Sequence, residues 1–322
     1  MSIGVGQDVA DQTSRLTMSF EFTGAYRCRV SDVHAAVAQL ARLPQVPQAV
    51  DAAREACTAL RWHPALRRRI PEASAESRVR GATASAALDG AQMSVTLVRD
   101  VFRGARRLPE HPDPVERTIG AALRATAEAE HVRAMVTSAP RQALARLHVA
   151  AMADLLPPDQ VGRPRTGSED SREMLELGPA PSASDAGERL TQLCELLQGS
   201  AHLPTVVVAA IVHAELVAAR PFVHGNALVA RAFERALVWG SGLDPTGVAV
   251  PEQAHHSMET DYHGGLAAYA SGDPQGVRLW ILHEATALTR AAGAGHDVCD
   301  AVLAGRLTSP PSASLDSRPT QE

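Results

Sequence analysis

The chain has 322 residues, enough for one large core or two modest ones, and its 45% hydrophobic and 21% charged content is that of a globular protein. A net charge of −5 argues against a dedicated nucleic-acid surface, and because no lysine occurs, all 31 basic residues are arginine, which excludes a Walker A lysine, a Schiff-base lysine and a lysine general base. The cysteines Cys28, Cys57, Cys194 and Cys299 are widely spaced without a CxxC pair, so they read as reduced thiols and not as a disulfide frame or a metal site.

Residues 1–30 are polar and aperiodic and read as a loose arm, with a short extended piece at 18–22. Abundant alanine, few aromatic residues and little strand-type alternation predict helices from there on. Val33, Ala36, Val37 and Leu40 repeat at three and four. Pro47 opens a second helix that is expected to run past Trp62, and 74–87 predicts a third, stopped near Gly90. Residues 112–155 read as two long helices, with Pro114 in a first turn and a break at Ala139-Pro140. The pattern fails over 157–184, a stretch rich in Pro, Gly, Ser and charge, read as a long surface excursion with room for a small hairpin. A loop of this length inside a domain is often functional. Helices are expected again near 185–199, 204–219, 227–241, 251–271 and 274–294, with Pro251 and Pro274 at helix starts. The apolar run 206–219 is too short to span a bilayer and carries His213 and Glu215. His213 reads as a buried structural histidine with one hydrogen bond. No signal-peptide pattern is seen, so a cytoplasmic protein without a membrane partner is expected. The Pro/Ser-rich end, 305–322, is expected to be disordered.

The most informative stretch is Arg220-Pro221-Phe222-Val223-His224-Gly225-Asn226-Ala227-Leu228-Val229-Ala230-Arg231. Pro221 disfavours the α region at Arg220, so the preceding helix should end there. Phe222 is expected to plug the loop into the core, Gly225 to supply a positive φ, and Asn226 to cap the next helix. The amides of Gly225, Asn226 and Ala227 would then form an anion hole at a helix N-terminus, with Arg231 one turn further along facing the same anion. His224 reads as a half-exposed loop histidine.

This stretch resembles the signature loop of the Fic (Fido) family, His-Pro-Phe-x-Asp/Glu-Gly-Asn-Gly-Arg-x-x-Arg. The resemblance implies an all-α, Fic-like helical bundle with a short β-hairpin flap, and AMP transfer from ATP to a hydroxyl of a target protein. Pro221, Phe222, Gly225, Asn226 and Arg231 match. Arg220 stands at the position of the family's catalytic histidine and cannot be deprotonated near neutral pH. His224 stands where the family has its acidic Mg²⁺ ligand and is a poor partner for that hard ion. Leu228 replaces the first phosphate-clamping arginine, and Ala227 a glycine. Ser85-Ala86-Ala87-Leu88-Asp89-Gly90 resembles the family's inhibitory motif, which implies an Asp89–Arg231 pair. Gly162-Arg163-Pro164-Arg165 resembles the segment leading into the flap, and 262–280 the closing helices, so the likeness covers about residues 75–290.

The expected organisation is an arm over 1–30, N-terminal helices with the inhibitory-type helix over 31–110, a Fic-like core over 111–295 and a tail over 305–322. The expected function is a Fic-like protein with a degenerate site that keeps an anion or ATP pocket at Gly225, Asn226, Ala227 and Arg231 without ordinary AMPylation. Arg220 and His224 are the residues at the catalytic positions, and no residue is assigned to a metal. Mg²⁺ is not expected, and the partners would be a nucleotide and a protein target. In the degenerate site Arg220 would supply a fixed positive charge in place of a metal at a phosphate; the alternatives are AMP transfer by unusual residues and an interaction module using 157–184.

Overall fold

The computed structural model describes residues 30–307. The expected arm with its piece at 18–22, Cys28 and the tail from 308 onward lie outside the described residues. Twelve α-helices and no strand are found among those described: α1 (Val30–Leu40), α2 (Val46–Arg61), α3 (Ile70–Leu88), α4 (Val95–Phe102), α5 (Pro114–Val132), α6 (Pro140–Met152), α7 (Ala183–Gln198), α8 (Thr205–Ala219), α9 (Asn226–Gly240), α10 (Pro251–Ser257), α11 (Glu259–Ala270) and α12 (Pro274–Leu303). The fold is all-α, as expected.

Prolines and caps set most of the helix starts. At α5, Asp113 accepts from the Glu116 amide while the Glu116 side chain accepts from the Asp113 amide, a reciprocal capping box ahead of Pro114. Asp273 caps α12 and Ser182 caps α7. Helix α4 was not foreseen as a separate element, although Ser94 caps it through the Leu97 amide.

Helix α8 is the axis of the molecule. Every residue from Val206 to Ala219 is buried, and α7, α9, α11 and α12 pack around it. A helix apolar on all sides is stable only when surrounded in this way. The small residues of α3, among them Ala73, Ser77, Ala82 and Ala86, let α5 and α10 approach closely. Cys57, Cys194 and Cys299 are buried free thiols.

Three expected elements are corrected. Helix α2 stops at Arg61 with Trp62 as its C-cap. Residues 251–271 are two helices, because Met258 leaves the helical region at φ −125°, ψ 38°. Helix α12 continues to Leu303, since no breaker follows residue 294 and Val298, Cys299 and Val302 are held in a second apolar cluster. The hairpin is absent among the described residues. Residues 157–184 instead contain two short 3₁₀ turns, Pro158–Gln160 and Leu175–Leu177. Carbonyls of the excursion are taken by the guanidinium groups of Arg165 and Arg220 instead of a partner strand. Among the described residues no helix is long and apolar enough to cross a membrane.

Candidate functional site

The loop between α8 and α9 is built as the sequence suggests at its ends and differently in its middle. Helix α8 ends at Ala219, and Arg220 takes the left-handed conformation at φ 46°, ψ 60°. A non-glycine residue persists there only when its surroundings hold it. Phe222 is buried and stacks on the His148 ring, with centroids 4.1 Å apart. His148 Nδ1 accepts from the Gly162 amide at 2.8 Å, so its Nε2–H is free to donate to the His224 carbonyl at 3.0 Å. Burial, the largest influence, lowers the His148 pKa and favours this neutral form. Sequence reading missed His148 because its helix, α6, lies far away in the chain.

Gly225 has φ +83°, and a Cβ there would meet Met152. Gly225, not Asn226, occupies the N-cap position of α9. Asn226 is the first helical residue and closes the loop with its side chain. Its Oδ1 accepts from the Phe222 amide at 2.8 Å, and its Nδ2 donates to the Phe222 carbonyl at 2.9 Å.

Of the three amides expected to face an anion, those of Gly225 and Asn226 hold a carboxylate of the chain itself. The Glu173 carboxylate, from the excursion, accepts from the Gly225 amide, from the Asn226 amide at 2.9 Å and from Asn226 Nδ2 at 2.6 Å. His224 Nδ1 adds a fourth partner at 3.0 Å. Sequence reading did not single out Glu173, which lies in an aperiodic stretch with nothing to mark its distant partners.

Arg220 explains why Glu173 stays. Its Nη1 donates to the carbonyls of Glu173 and Gly178, both at 3.0 Å, with Met174 O at 3.4 Å, and its Nη2 donates to Pro179 O at 2.9 Å. The guanidinium is therefore committed to the excursion's backbone, which corrects the expectation that it offers a fixed charge to a phosphate. Arg165 ties the other side, donating from Nε to Arg220 O at 2.8 Å and from Nη2 to Pro181 O at 2.9 Å. Arg163 pairs with Glu169 at 2.7 Å at the surface.

Asp89 lies 2.7 Å from Arg231 Nη2, as its motif implied. Ser85 supports the pair, with its hydroxyl accepting from Arg231 Nε at 2.7 Å and its carbonyl from Nη2 at 3.1 Å. Arg231 thus faces α3 and not the anion hole. Gly90 follows α3 at φ +79° with its amide on the Ala87 carbonyl, the role of a helix terminator. Leu228 is buried in the core and Ala227 is buried in the first turn of α9.

The Glu173–His224 contact is pH-sensitive. The hydrogen bond to Glu173 raises the His224 pKa above 6.5 against the effect of burial. Burial alone would raise the Glu173 pKa, but His224 and the Asn226 donors outweigh it and bring it below 4.5. Glu173 therefore contributes to closure above its ordinary range and loses this as pH falls through its lowered folded pKa. His224 contributes below its ordinary value, and that part is lost as pH rises through its raised folded pKa. In an NMR titration the His224 ring is expected to titrate above 6.5 and to return to an ordinary value in Glu173→Gln. A ring that titrates identically in both proteins would break the assigned coupling.

The fold is Fic-like, and the part of the chain that carries the loop resembles the Fic/DOC family. The sequence profile of the Fic/DOC family matches residues 138–238, which contain the excursion and the loop. A Fic family protein from Desulfovibrio desulfuricans is similar with a TM-score of 0.58 and 22% identity, over 83% of this chain and 77% of that one. Fic-1 from C. elegans is similar with a TM-score of 0.55 and 18% identity, over 90% and 84%. A Fic-domain-containing signalling protein from Bacteroides thetaiotaomicron gives 0.58 and 13%, over 78% and 98%. At these identities the solved structures speak for the fold alone. No curated protein matches the chain.

Proposed function

We propose that this Fic-like protein binds an anion at the α8–α9 loop and does not transfer AMP by the route the family signature implies. The observation that carries this is the Glu173 carboxylate seated on the amides of Gly225 and Asn226. Two amides at a helix N-terminus that hold a carboxylate also suit a phosphate oxygen. A phosphate group, that of ATP among the candidates, competes with Glu173 for them. Transfer lacks its chemistry: the group at the base position is a guanidinium that stays protonated and already serves four carbonyls. The residues do not fit Mg²⁺. His224 stands at the metal position, and the carboxylate beside it is already held by two amides and by Asn226.

The test is thermal denaturation of the wild type and Glu173→Ala with ATP, ADP and inorganic phosphate, each with and without Mg²⁺. The variant is expected to gain Tm at millimolar nucleotide or phosphate, independently of Mg²⁺, while the wild type responds much less. No shift in either protein overturns anion binding. Incorporation of label from ATP into protein by the wild type overturns the loss of transfer.

A further inference from the structure

Four buried side chains from four different helices meet beside this site. His213 of α8, Glu234 of α9, His255 of α10 and Glu284 of α12 each bring one potential ligand atom within 4.8 Å of all the others. All four are fully screened from solvent. Glu234 Oε2 lies 2.6 Å from His213 Nδ1 and 3.0 Å from His255 Nε2. Glu284 Oε2 stands 3.8 Å from the same His255 nitrogen. Glu234 Oε1 and both oxygens of Glu284 have no hydrogen-bond donor among the described residues. Two acidic groups buried in this way need a cation or a shared proton between them.

We propose that these four residues form a closed metal site for a divalent transition ion, Zn²⁺ fitting best. Two imidazole nitrogens and two carboxylate oxygens are borderline ligands that suit Zn²⁺ better than Mg²⁺ or Ca²⁺. With bonds of about 2.0–2.2 Å, a tetrahedral ion places its ligand atoms roughly 3.3–3.5 Å apart. The observed separations of 2.6, 3.0 and 3.8 Å straddle that value. The outer contacts are those such ligands need. The Tyr262 hydroxyl lies 2.9 Å from His213 Nε2 and can accept its proton, which leaves Nδ1 bare toward the cluster. His283 Nε2 lies 3.2 Å from His255 Nδ1 and can do the same for His255 Nε2. Binding displaces the protons these groups otherwise hold and releases them to solvent. Because all four are buried, the ion enters as the chain folds and leaves only when the core opens. Tyr262 also meets Arg231 Nη1 at 3.5 Å, so the site adjoins the Asp89 pair.

The test uses the full chain unfolded with a chelator and refolded with Zn²⁺, with Co²⁺ or without metal. One ion per chain by elemental analysis is expected, together with the strong visible absorption of four-coordinate Co²⁺ and a Tm higher than that of the metal-free protein. Tyr262→Phe, which keeps the core filled, is expected to weaken binding on the order of 10–100-fold. Glu284→Gln is expected to abolish four-coordinate Co²⁺ absorption and the metal-dependent rise in Tm. A wild type that refolds to the same Tm without metal and retains no ion overturns the site and assigns the cluster to a shared proton. That result would be confirmed by a Glu284→Gln protein as stable as the wild type.

Discussion

Replacing Arg220 with histidine is expected to free residues 170–180 and destabilise the fold by about 2–4 kcal/mol without producing adenylyl transfer. The guanidinium is 2% exposed, and four carbonyls of the excursion depend on it. Hydrogen bonds from a charged donor contribute roughly 1.5–3 kcal/mol each, and water entering at the loosened surface recovers part of the loss. An imidazole carries at most two donors and cannot span from Glu173 to Pro179. Urea unfolding reads the stability, hydrogen exchange reads the excursion, and incubation with labelled ATP reads the chemistry. The same absence of labelling is expected when Asp89→Gly is added, because His224 and Leu228 still occupy the metal and clamp positions. Labelling of a target by Arg220→His alone would show that the base was the one missing part.

Replacing Glu252 with glutamine is expected to be at least as costly, at about 3–5 kcal/mol, since it leaves Arg235 as a buried charge without its counterpart. The pair is bidentate, with Arg235 Nε and Nη2 each 2.7 Å from a Glu252 oxygen and both side chains almost wholly buried. Arg235 Nη1 also donates to Ser77 Oγ at 3.0 Å, which joins α3, α9 and α10 at one point. Gly81 makes room for it, because a Cβ there would lie 2.8 Å from Glu252 Oε2. Replacing both partners with apolar residues, Arg235→Met with Glu252→Leu, is expected to restore most of the loss. Urea denaturation of the three proteins decides, and a Glu252→Gln cost below about 1 kcal/mol would refute the reading.

Prolines at helix starts were legible in the sequence, and contacts between distant segments were not. Pro114, Pro140, Pro251 and Pro274 mark helix starts because proline tolerates the first turn and little else in a helix. The end of α8 at Arg220 follows from its place before a proline, its left-handed φ does not, and the positive φ of Gly225 follows from glycine's freedom. The Asp89–Arg231 pair came from a motif resemblance, not from physics, since 142 residues separate the partners. Glu173 had no such help. Its stretch has no period, its partners lie more than 50 residues away, and acidic loop residues usually face water. Asn226 looked like an N-cap because its residue type favours that role, but the Phe222 backbone and Glu173 claimed its side chain. His213 was read correctly as buried. Its two partners, Glu234 and Tyr262, come from helices whose proximity no local pattern encodes.

The two contacts that close the loop arise from unrelated parts of the chain. Asp89, at the end of α3, occupies Arg231, and Glu173, in the excursion, occupies the amides of Gly225 and Asn226. An incoming phosphate that displaced Glu173 would still find Arg231 engaged, and an event that drew α3 away would still leave the amides covered. If the releases are independent, the doubly free state is populated as the product of two small fractions. The two locks therefore guard different groups: loss of Glu173 bares the amides alone, and only movement of α3 unburdens Arg231.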